Sequence, residues 1–108
     1  MQKISEELLA RARSGDETAN AAVIARMMPA IQKGASLYQA PGLDREDIVQ
    51  EGLIGLFSAV RSYRPAAGVP FAAFAAACIR NAQQDACKTA LRKKHAPLNF
   101  SVPLPDVD

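Results

Sequence analysis

Long polar side chains recur every four residues in the last third of the chain, at Arg80, Gln84 and Lys88. On an α-helix this spacing places them in one row along the same face. Arginine and lysine bind phosphate groups, and the amides of Asn81 and Gln84 can donate to and accept from the edges of bases. The row therefore has the chemistry of a nucleic-acid contact. A helix face that is merely hydrated has the same spacing, so spacing alone leaves both interpretations open.

Positive charge is concentrated in the same region. Residues 80–95 contain five Lys or Arg and one acid, Asp85, and three of these cations are Arg92, Lys93 and Lys94. Residues 44–65, by contrast, contain four acids and three bases. The net charge of the chain is only +2, which does not by itself indicate a nucleic-acid ligand. The distribution of charge nevertheless suits the two regions to different partners.

A second polar face surrounds one aliphatic residue in the segment EDIVQEGLIGLFSAV, residues 46–60. At 100° per residue, Ile54 shares a helix face with Asp47, Gln50, Glu51, Ser58 and Arg61, and Leu53 and Phe57 lie at its margin. A single exposed isoleucine is ordinary in proteins. An aliphatic side chain ringed by polar ones is also typical of a small protein-docking patch. The pattern leaves both interpretations open.

Residue types that could support catalysis or bind a metal are not grouped. Cys78 and Cys87 are predicted on one helix, on opposite faces and about 13 Å apart along its axis, beyond the reach of a disulfide. His95, the only histidine, lies two turns further on. We expect reduced, buried or half-buried thiols and no metal or other cofactor. There is no phosphate-binding glycine loop and no nucleophile near His95, so we expect no enzyme activity.

Capping residues mark the first two helices. Ser5 is the predicted N-cap of a short helix, and Asp16 is the predicted N-cap of a longer one that runs to about residue 38. Pro29 lies inside this second segment and is expected to kink or interrupt it.

Two further helices follow. Asp44 and Asp47 have the spacing of a capping box, and the helix they begin is predicted to end near Tyr63. The last helix is predicted to start near Phe71 and to continue to residues 92–95. Its predicted core face consists of Phe71, Ala75, Cys78, Ile79, Ala82 and Ala86.

Two glycines lie inside the third predicted helix. Gly52 and Gly55 each cost roughly 1 kcal/mol relative to alanine in a helix interior. Together with Ala59 they line one edge of the apolar face. Small residues there allow a neighbouring helix to approach closely, so we predict tight helix packing at this edge.

These elements predict an all-α protein, a compact bundle of about four helices. We assign residues 1–95 to the helical domain and residues 96–108, APLNFSVPLPDVD, to a proline-containing linker or tail. The first fifteen residues carry charges where a signal peptide needs an apolar core, and no apolar run approaches the length of a membrane span. We therefore expect a cytoplasmic protein that does not enter a membrane.

Two blocks of sequence resemble a known family. They are GLDREDIVQEGLIGLFSAVRSYRP and GVPFAAFAAACIRNAQQDACKTALRKKHAPLN, with the motifs DxxQEGxIGL and FxxFAxxxIR in that order. They are similar to region 2, the promoter-reading helical domain, of bacterial RNA polymerase sigma factors of the sigma-70 family, and most of all to alternative members of the sigma-H type. The segment LLARARSGDETANAAVIARMMPAI fits the first helices of that domain.

The resemblance implies two binding surfaces. One would dock on the clamp helices, a coiled-coil helix pair of the large subunit of core RNA polymerase; its residues are Asp47, Gln50, Glu51, Ile54 and Phe57. The other would bind the minus-ten promoter element, partly as duplex and partly as melted non-template strand; its residues are Phe74, Ala77, Arg80, Asn81, Gln84, Lys88, Arg92, Lys93 and Lys94. Asn81 and Gln84 occupy positions that read the upstream base pair, and Arg80 and Lys88 would lie against phosphates. An anti-sigma factor is a further candidate partner.

This chain departs from the family pattern in two ways. Primary sigma factors have a tryptophan pair where this chain has Ala77 and Cys78, which leaves Phe71 and Phe74 as the aromatic residues of this segment, and we expect Phe71 in the core. Stacking on an aromatic ring is worth ~1–3 kcal/mol per base, so we predict weak intrinsic melting and greater dependence on base-specific contacts. Family members normally continue into a helix-turn-helix domain that reads the minus-thirty-five element, whereas this sequence ends in the predicted linker, so we expect either a fragment or a one-domain relative.

The sequence leaves two functions open. The first is a transcription initiation factor domain that binds core RNA polymerase and recognises and melts the minus-ten element. The second is a degenerate interaction module that binds the polymerase without opening promoters, which the few aromatic residues and the modest charge would suit. A salt-dependent, sequence-selective gain in DNA binding by the polymerase complex would favour the first.

Overall fold

The computed structural model describes residues 4–95 and has four α-helices. These are α1 (Glu6–Arg13), α2 (Glu17–Leu37), α3 (Arg45–Ser62) and α4 (Phe71–His95). A 3₁₀ turn, Pro65–Ala67, lies between α3 and α4, and no strand forms within residues 4–95. The predicted all-α architecture of four helices is therefore confirmed. Residues 96–108, which we interpret as a linker or tail, lie outside the described residues.

Helices α1, α2 and α3 begin at the predicted capping residues. The Ser5 hydroxyl accepts a hydrogen bond from the backbone of Leu8 at 3.1 Å, and the Asp16 carboxylate accepts from two backbone amides of the first turn of α2. At α3 the capping box is complete: the backbone of Asp47 donates to Asp44 at 2.9 Å, and the backbone of Asp44 donates back at 3.1 Å. The starts of α1, α2 and α3 are thus determined by local signals.

Helix α2 is not interrupted at Pro29, so that part of the prediction is wrong. The helix is continuous from Glu17 to Leu37. The proline ring removes one hydrogen bond, to the carbonyl of Ala25, and both residues are exposed, where water can replace it. Met27 and Ile31 are buried on either side, and burying such side chains contributes about 1.5–3 kcal/mol each, enough to hold the helix together.

Besides a smaller cluster formed by Ala35, Ile48 and Cys87, the four helices bury one main core. Phe71 lies within it, as predicted, and Tyr63 packs edge-on against the Phe71 ring at 5.3 Å between centroids. The buried residues of this core are Leu9, Ala12, Ala19, Val23, Met27, Ile31, Leu56, Ala59, Val60, Phe71, Ala75 and Ile79.

The buried face of α4 differs from the predicted one. Cys78, Ala82 and Ala86 are only half-buried, whereas Gln83 and Cys87 are buried. The buried positions recur strictly every four residues, and Gln83 continues this series despite its polar side chain. The predicted face was drawn through apolar residues alone, so it followed Ala82 and Ala86 instead of the buried positions Gln83 and Cys87. The buried residues of α4 are Phe71, Ala75, Ile79, Gln83 and Cys87.

Arg13 of α1 forms hydrogen bonds with the C-terminal end of α3. Arg13 donates from Nε to the carbonyl of Val60 at 2.7 Å, and a second nitrogen donates to the carbonyl of Tyr63. These bonds satisfy one carbonyl group in the last turn of α3 and one at its C-cap, where carbonyls lack an intrahelical partner. Arg13 thereby attaches α1 to the point where the chain turns towards α4. Every helix within residues 4–95 is too short or too polar to span a bilayer.

Candidate functional site

Helices α3 and α4 pack so closely that a methyl group would not fit between them. A Cβ atom at Gly55 would lie 2.6 Å from the carbonyl oxygen of Cys78 and 3.0 Å from the Cβ of Ala82. A Cβ at Gly52 would lie 3.1 Å from the Ile31 side chain of α2. Both glycines are buried, as is Ala59. The close approach predicted from the sequence is confirmed, and it leaves the other side of α3 facing outwards.

That outward side carries the Ile54 patch, which we define as Asp47, Gln50, Glu51, Ile54 and Phe57. Ile54 is 57% exposed and Phe57 is 39% exposed. Asp47 and Gln50 are exposed and Glu51 is half-buried. The structure thus places all five predicted residues on one accessible face of α3. Large apolar side chains that remain this exposed among polar ones are typical of binding surfaces.

Hydrogen bonds from Arg45 connect the start of α3 to α2. Arg45 donates to the hydroxyl of Ser36 at 2.8 Å and to the side-chain oxygen of Gln32 at 2.6 Å. The guanidinium group is therefore turned towards α2. This leaves Asp47 and Glu51 as the charged members of the neighbouring Ile54 patch.

The second predicted surface lies on α4. We call it the basic face and define it as Phe74, Ala77, Arg80, Asn81, Gln84, Lys88, Arg92 and Lys93. Arg80, Asn81, Lys88, Arg92 and Lys93 are exposed, and the other three are half-buried. Since α4 is continuous, Arg80, Gln84 and Lys88 form the predicted row. Lys94 belongs to α4, but its side chain lies outside the described part of the chain.

Two members of the basic face contact other parts of the bundle. Gln84 donates from Nε2 to the hydroxyl of Tyr38 at 3.2 Å, which attaches it to the end of α2. The ring of Phe74 is half-buried and packs 5.5 Å from the ring of Tyr63, at a tilt of 46°. Phe74 therefore offers only part of its ring as a stacking surface. Burial raises the pKa of the Cys78 thiol nearby.

An open groove of about 910 Å³ connects the two surfaces. It runs between α3 and the C-terminal half of α4 and is bounded by the turn at residues 41–43. Its charged lining residues are Glu51, Asp85 and Lys93. Glu51 of the Ile54 patch and Lys93 of the basic face thus border the same groove. Three or more His, Cys, Asp or Glu side chains placed to hold a metal ion do not occur among residues 4–95.

Gln83 is the residue of this region that the sequence analysis missed. It is 1% exposed, and its Nε2 donates to the carbonyls of Ile31 at 3.0 Å and Ile48 at 3.1 Å. A Cβ at Gly34 would lie 1.8 Å from its Oε1. The signal that could have found it is the four-residue spacing that continues through Gln83 from the buried residues before it.

Known proteins resemble this chain over most of its length. The Sigma-70 region 2 family matches residues 23–94. The RNA polymerase sigma-H factor of Bacillus licheniformis is 40% identical over 99 residues, which are 92% of this chain and 44% of that protein. The RNA polymerase sigma-H factor of Bacillus subtilis is 39% identical over 94 residues, which are 87% of this chain and 43% of that protein.

Another relative is less similar to this chain. The RNA polymerase sigma-C factor of Myxococcus xanthus is 33% identical over 79 residues, or 73% of this chain and 27% of that protein. The chain thus spans less than half the length of these curated relatives. No solved structure matches it significantly. Because the family match covers two thirds of the chain and the bundle has the all-α form expected for it, the chain belongs to the sigma-70 family and carries its region 2 domain.

Proposed function

We propose that this domain acts in transcription initiation, by binding core RNA polymerase through the Ile54 patch and the minus-ten promoter element through the basic face. The observation that carries the proposal is the exposure of Ile54, 57%, within a motif of a region 2 domain. Two surfaces of opposite charge on adjacent helices suit two partners that must be held at the same time. Neither surface requires a catalytic group, so the domain acts by binding.

On the polymerase side, the Ile54 patch has the composition of a small interface centre. Ile54 and Phe57 supply apolar area, and Asp47 and Glu51 supply carboxylates at its edge. Burying a side chain such as that of Ile54 contributes about 1.5–3 kcal/mol. The partner we propose is the clamp helices of the polymerase large subunit, with an apolar contact at the centre and basic side chains opposite the carboxylates.

On the DNA side, the exposed cations give a salt-dependent contribution. Each phosphate contact made by Arg80, Lys88, Arg92 or Lys93 should add about one unit to the dependence of log K on log salt. Asn81 is exposed and free to contact a base edge. Gln84 is held by Tyr38, and its side-chain oxygen and second amide hydrogen remain for a base. A restrained side chain loses less entropy when it binds.

We further propose that strand opening by this domain is weak. Ala77 and Cys78 have no aromatic face, and Phe74 is partly covered by Tyr63. Placing a tryptophan at the half-buried Ala77 position should add stacking worth ~1–3 kcal/mol for one base. Holoenzyme containing Ala77→Trp should therefore accumulate more open complex, measured by permanganate reactivity of unpaired thymines. No gain in open complex would contradict this part of the proposal.

The same observation favours a second candidate function. A domain with so little free aromatic surface could occupy the polymerase clamp as an interaction module without opening promoters. The two functions differ in DNA binding: the first predicts a sequence-selective, salt-dependent gain when the chain is added to core polymerase. The second predicts retention of the chain by the polymerase with no such gain.

The main test is retention of the full chain by immobilised core RNA polymerase. We expect Gln50→Ala and Glu51→Ala to weaken retention several-fold and Ile54→Ala about tenfold, since 1.4 kcal/mol is a factor of ten. Leu37→Ala is the matched control, because Leu37 is 63% exposed on α2, a helix that carries none of the patch residues. If all three patch variants are retained like the wild type, the proposed docking surface is wrong.

A further inference from the structure

The side-chain amide of Gln83 joins three helices. Gln83 lies on α4, and its two Nε2 hydrogens point to the carbonyl of Ile31 on α2 and to the carbonyl of Ile48 on α3. Among residues 4–93, whose side chains the structure describes, it is the one polar residue that is fully buried. Two directional hydrogen bonds, as well as packing, therefore determine where the Gln83 side chain lies between the helices.

The bundle leaves a space shaped for this amide. A Cβ at Gly34 would lie 1.8 Å from Oε1, and a Cβ at Gly52 would lie 2.8 Å from Nε2. Any side chain at either glycine would displace the amide. Two helices thus have glycine at the positions where the amide of the third approaches their backbones.

Stability alone does not account for this arrangement. The carbonyls of Ile31 and Ile48 lie inside α2 and α3, where the helical pattern already gives each an amide four residues later. Among residues 4–93, no group donates a hydrogen bond to the Oε1 atom of Gln83, which is unfavourable for a buried acceptor. An apolar side chain of the same length would fill the space and would bring no unpaired side-chain oxygen into the core. What it could not do is fix an orientation, because hydrogen bonds are directional and apolar contacts are not.

The orientation of α4 matters for its outward face. Arg80, Asn81 and Gln84 lie within three residues of Gln83 on the same helix. A rotation of α4 by about 20° would move side-chain atoms 5–6 Å from its axis by roughly 2 Å. Recognition contacts require positions correct to about 0.5 Å. A base contact made from this face therefore depends on the angle at which α4 is held.

We propose that Gln83 is a positioning residue for promoter recognition: by binding backbone carbonyls of α2 and α3, its amide sets the angle at which α4 presents Asn81 and Gln84 to bases. This inference rests on the proposed function. It assigns base selectivity to a residue that does not touch DNA. It also connects α3, which carries the Ile54 patch, to the reading helix through a directional contact.

The test compares Gln83→Met with Ile79→Val in holoenzyme made with the full chain. Methionine has a similar unbranched length but no amide, whereas valine at position 79 loses buried packing on α4 without changing a hydrogen bond. We measure affinity for promoters that differ only in the upstream base pair of the minus-ten element, at one salt concentration. Gln83→Met should lose about tenfold in discrimination between bases, with polymerase retention within twofold of wild type. Ile79→Val should lower the melting temperature and retain discrimination.

Each outcome decides the question. Wild-type discrimination in Gln83→Met, or an equal loss in Ile79→Val, would overturn the inference while leaving the proposed function intact. A wild-type holoenzyme that shows no base discrimination would refute the promoter-reading function and this inference with it. Gln83→Leu is the second variant; if both variants at position 83 fail to fold, the amide is needed for the fold itself and the positioning role is wrong.

Discussion

Replacing Gly55 by alanine is a direct test of the packing between α3 and α4. The added Cβ would lie 2.6 Å from the Cys78 carbonyl oxygen and 3.0 Å from the Cβ of Ala82. The closest atom belongs to the backbone of α4 and cannot rotate away as the end of a side chain could. The two helices must therefore separate by roughly 1 Å to restore ordinary van der Waals contact.

Two effects of opposite sign set the expected size of the change. Alanine favours the helix by about 1 kcal/mol relative to glycine at an interior position. Overpacking a filled helix contact costs about 1–3 kcal/mol, and the upper part of that range applies because backbone must move. We therefore expect Gly55→Ala to lower the free energy of unfolding by about 1–2 kcal/mol. For a domain of this size the melting temperature should fall by roughly 5–10 °C.

Thermal unfolding followed by circular dichroism at 222 nm measures this difference. Ser58→Ala is the matched control, because Ser58 is exposed on the same helix and gains helix propensity without a new contact. We expect the control to unfold at or slightly above the wild-type temperature. If Gly55→Ala is as stable as Ser58→Ala, the close approach of the helices is not what selects glycine there.

Three further predictions concern local features. Asp44→Ala removes the capping box and should cost about 1 kcal/mol in chemical denaturation, whereas Asp44→Asn should stay close to wild type because both caps accept the same hydrogen bond. Hydrogen bonding from the Ala19 backbone, and to a smaller extent from Arg11, lowers the pKa of Asp16. The Asp16 carboxylate therefore stabilises the fold above the unfolded-state pKa of about 3.9, and this stabilisation is lost as the pH falls through the lower folded-state pKa. The melting-temperature difference between wild type and Asp16→Asn should shrink over that acidic range and stay constant above pH 5. Burial raises the pKa of the Cys78 and Cys87 thiols, so both should react slowly with iodoacetamide at pH 8 and faster in denaturant. Mass spectrometry measures this labelling, and rapid labelling of the folded protein would contradict the burial of the thiols.

Much of the fold could be predicted from the sequence because the signals are local. The capping residues Ser5, Asp16 and Asp44 act within three residues of themselves, and they begin the helices as expected. The small residues of α3 and the exposure of Ile54 followed from helical periodicity alone. The roles of the Ile54 patch and the basic face were suggested by family motifs and stay predictions until the binding tests are made.

Only the tertiary structure decided the positions where distant segments meet. The four-residue spacing of α4 could have indicated that Gln83 is buried, but the carbonyls that accept its hydrogens are 52 and 35 residues away, and no local pattern identifies them. Pro29 stays inside an unbroken helix because buried neighbours on both sides outweigh its lost hydrogen bond. Phe74 is partly covered because Tyr63, beyond a turn, packs against it. Local propensities act over one helical turn, whereas burial depends on which helices come together, so the sequence alone determined the helices and the tertiary structure decided which of their side chains remain free to bind.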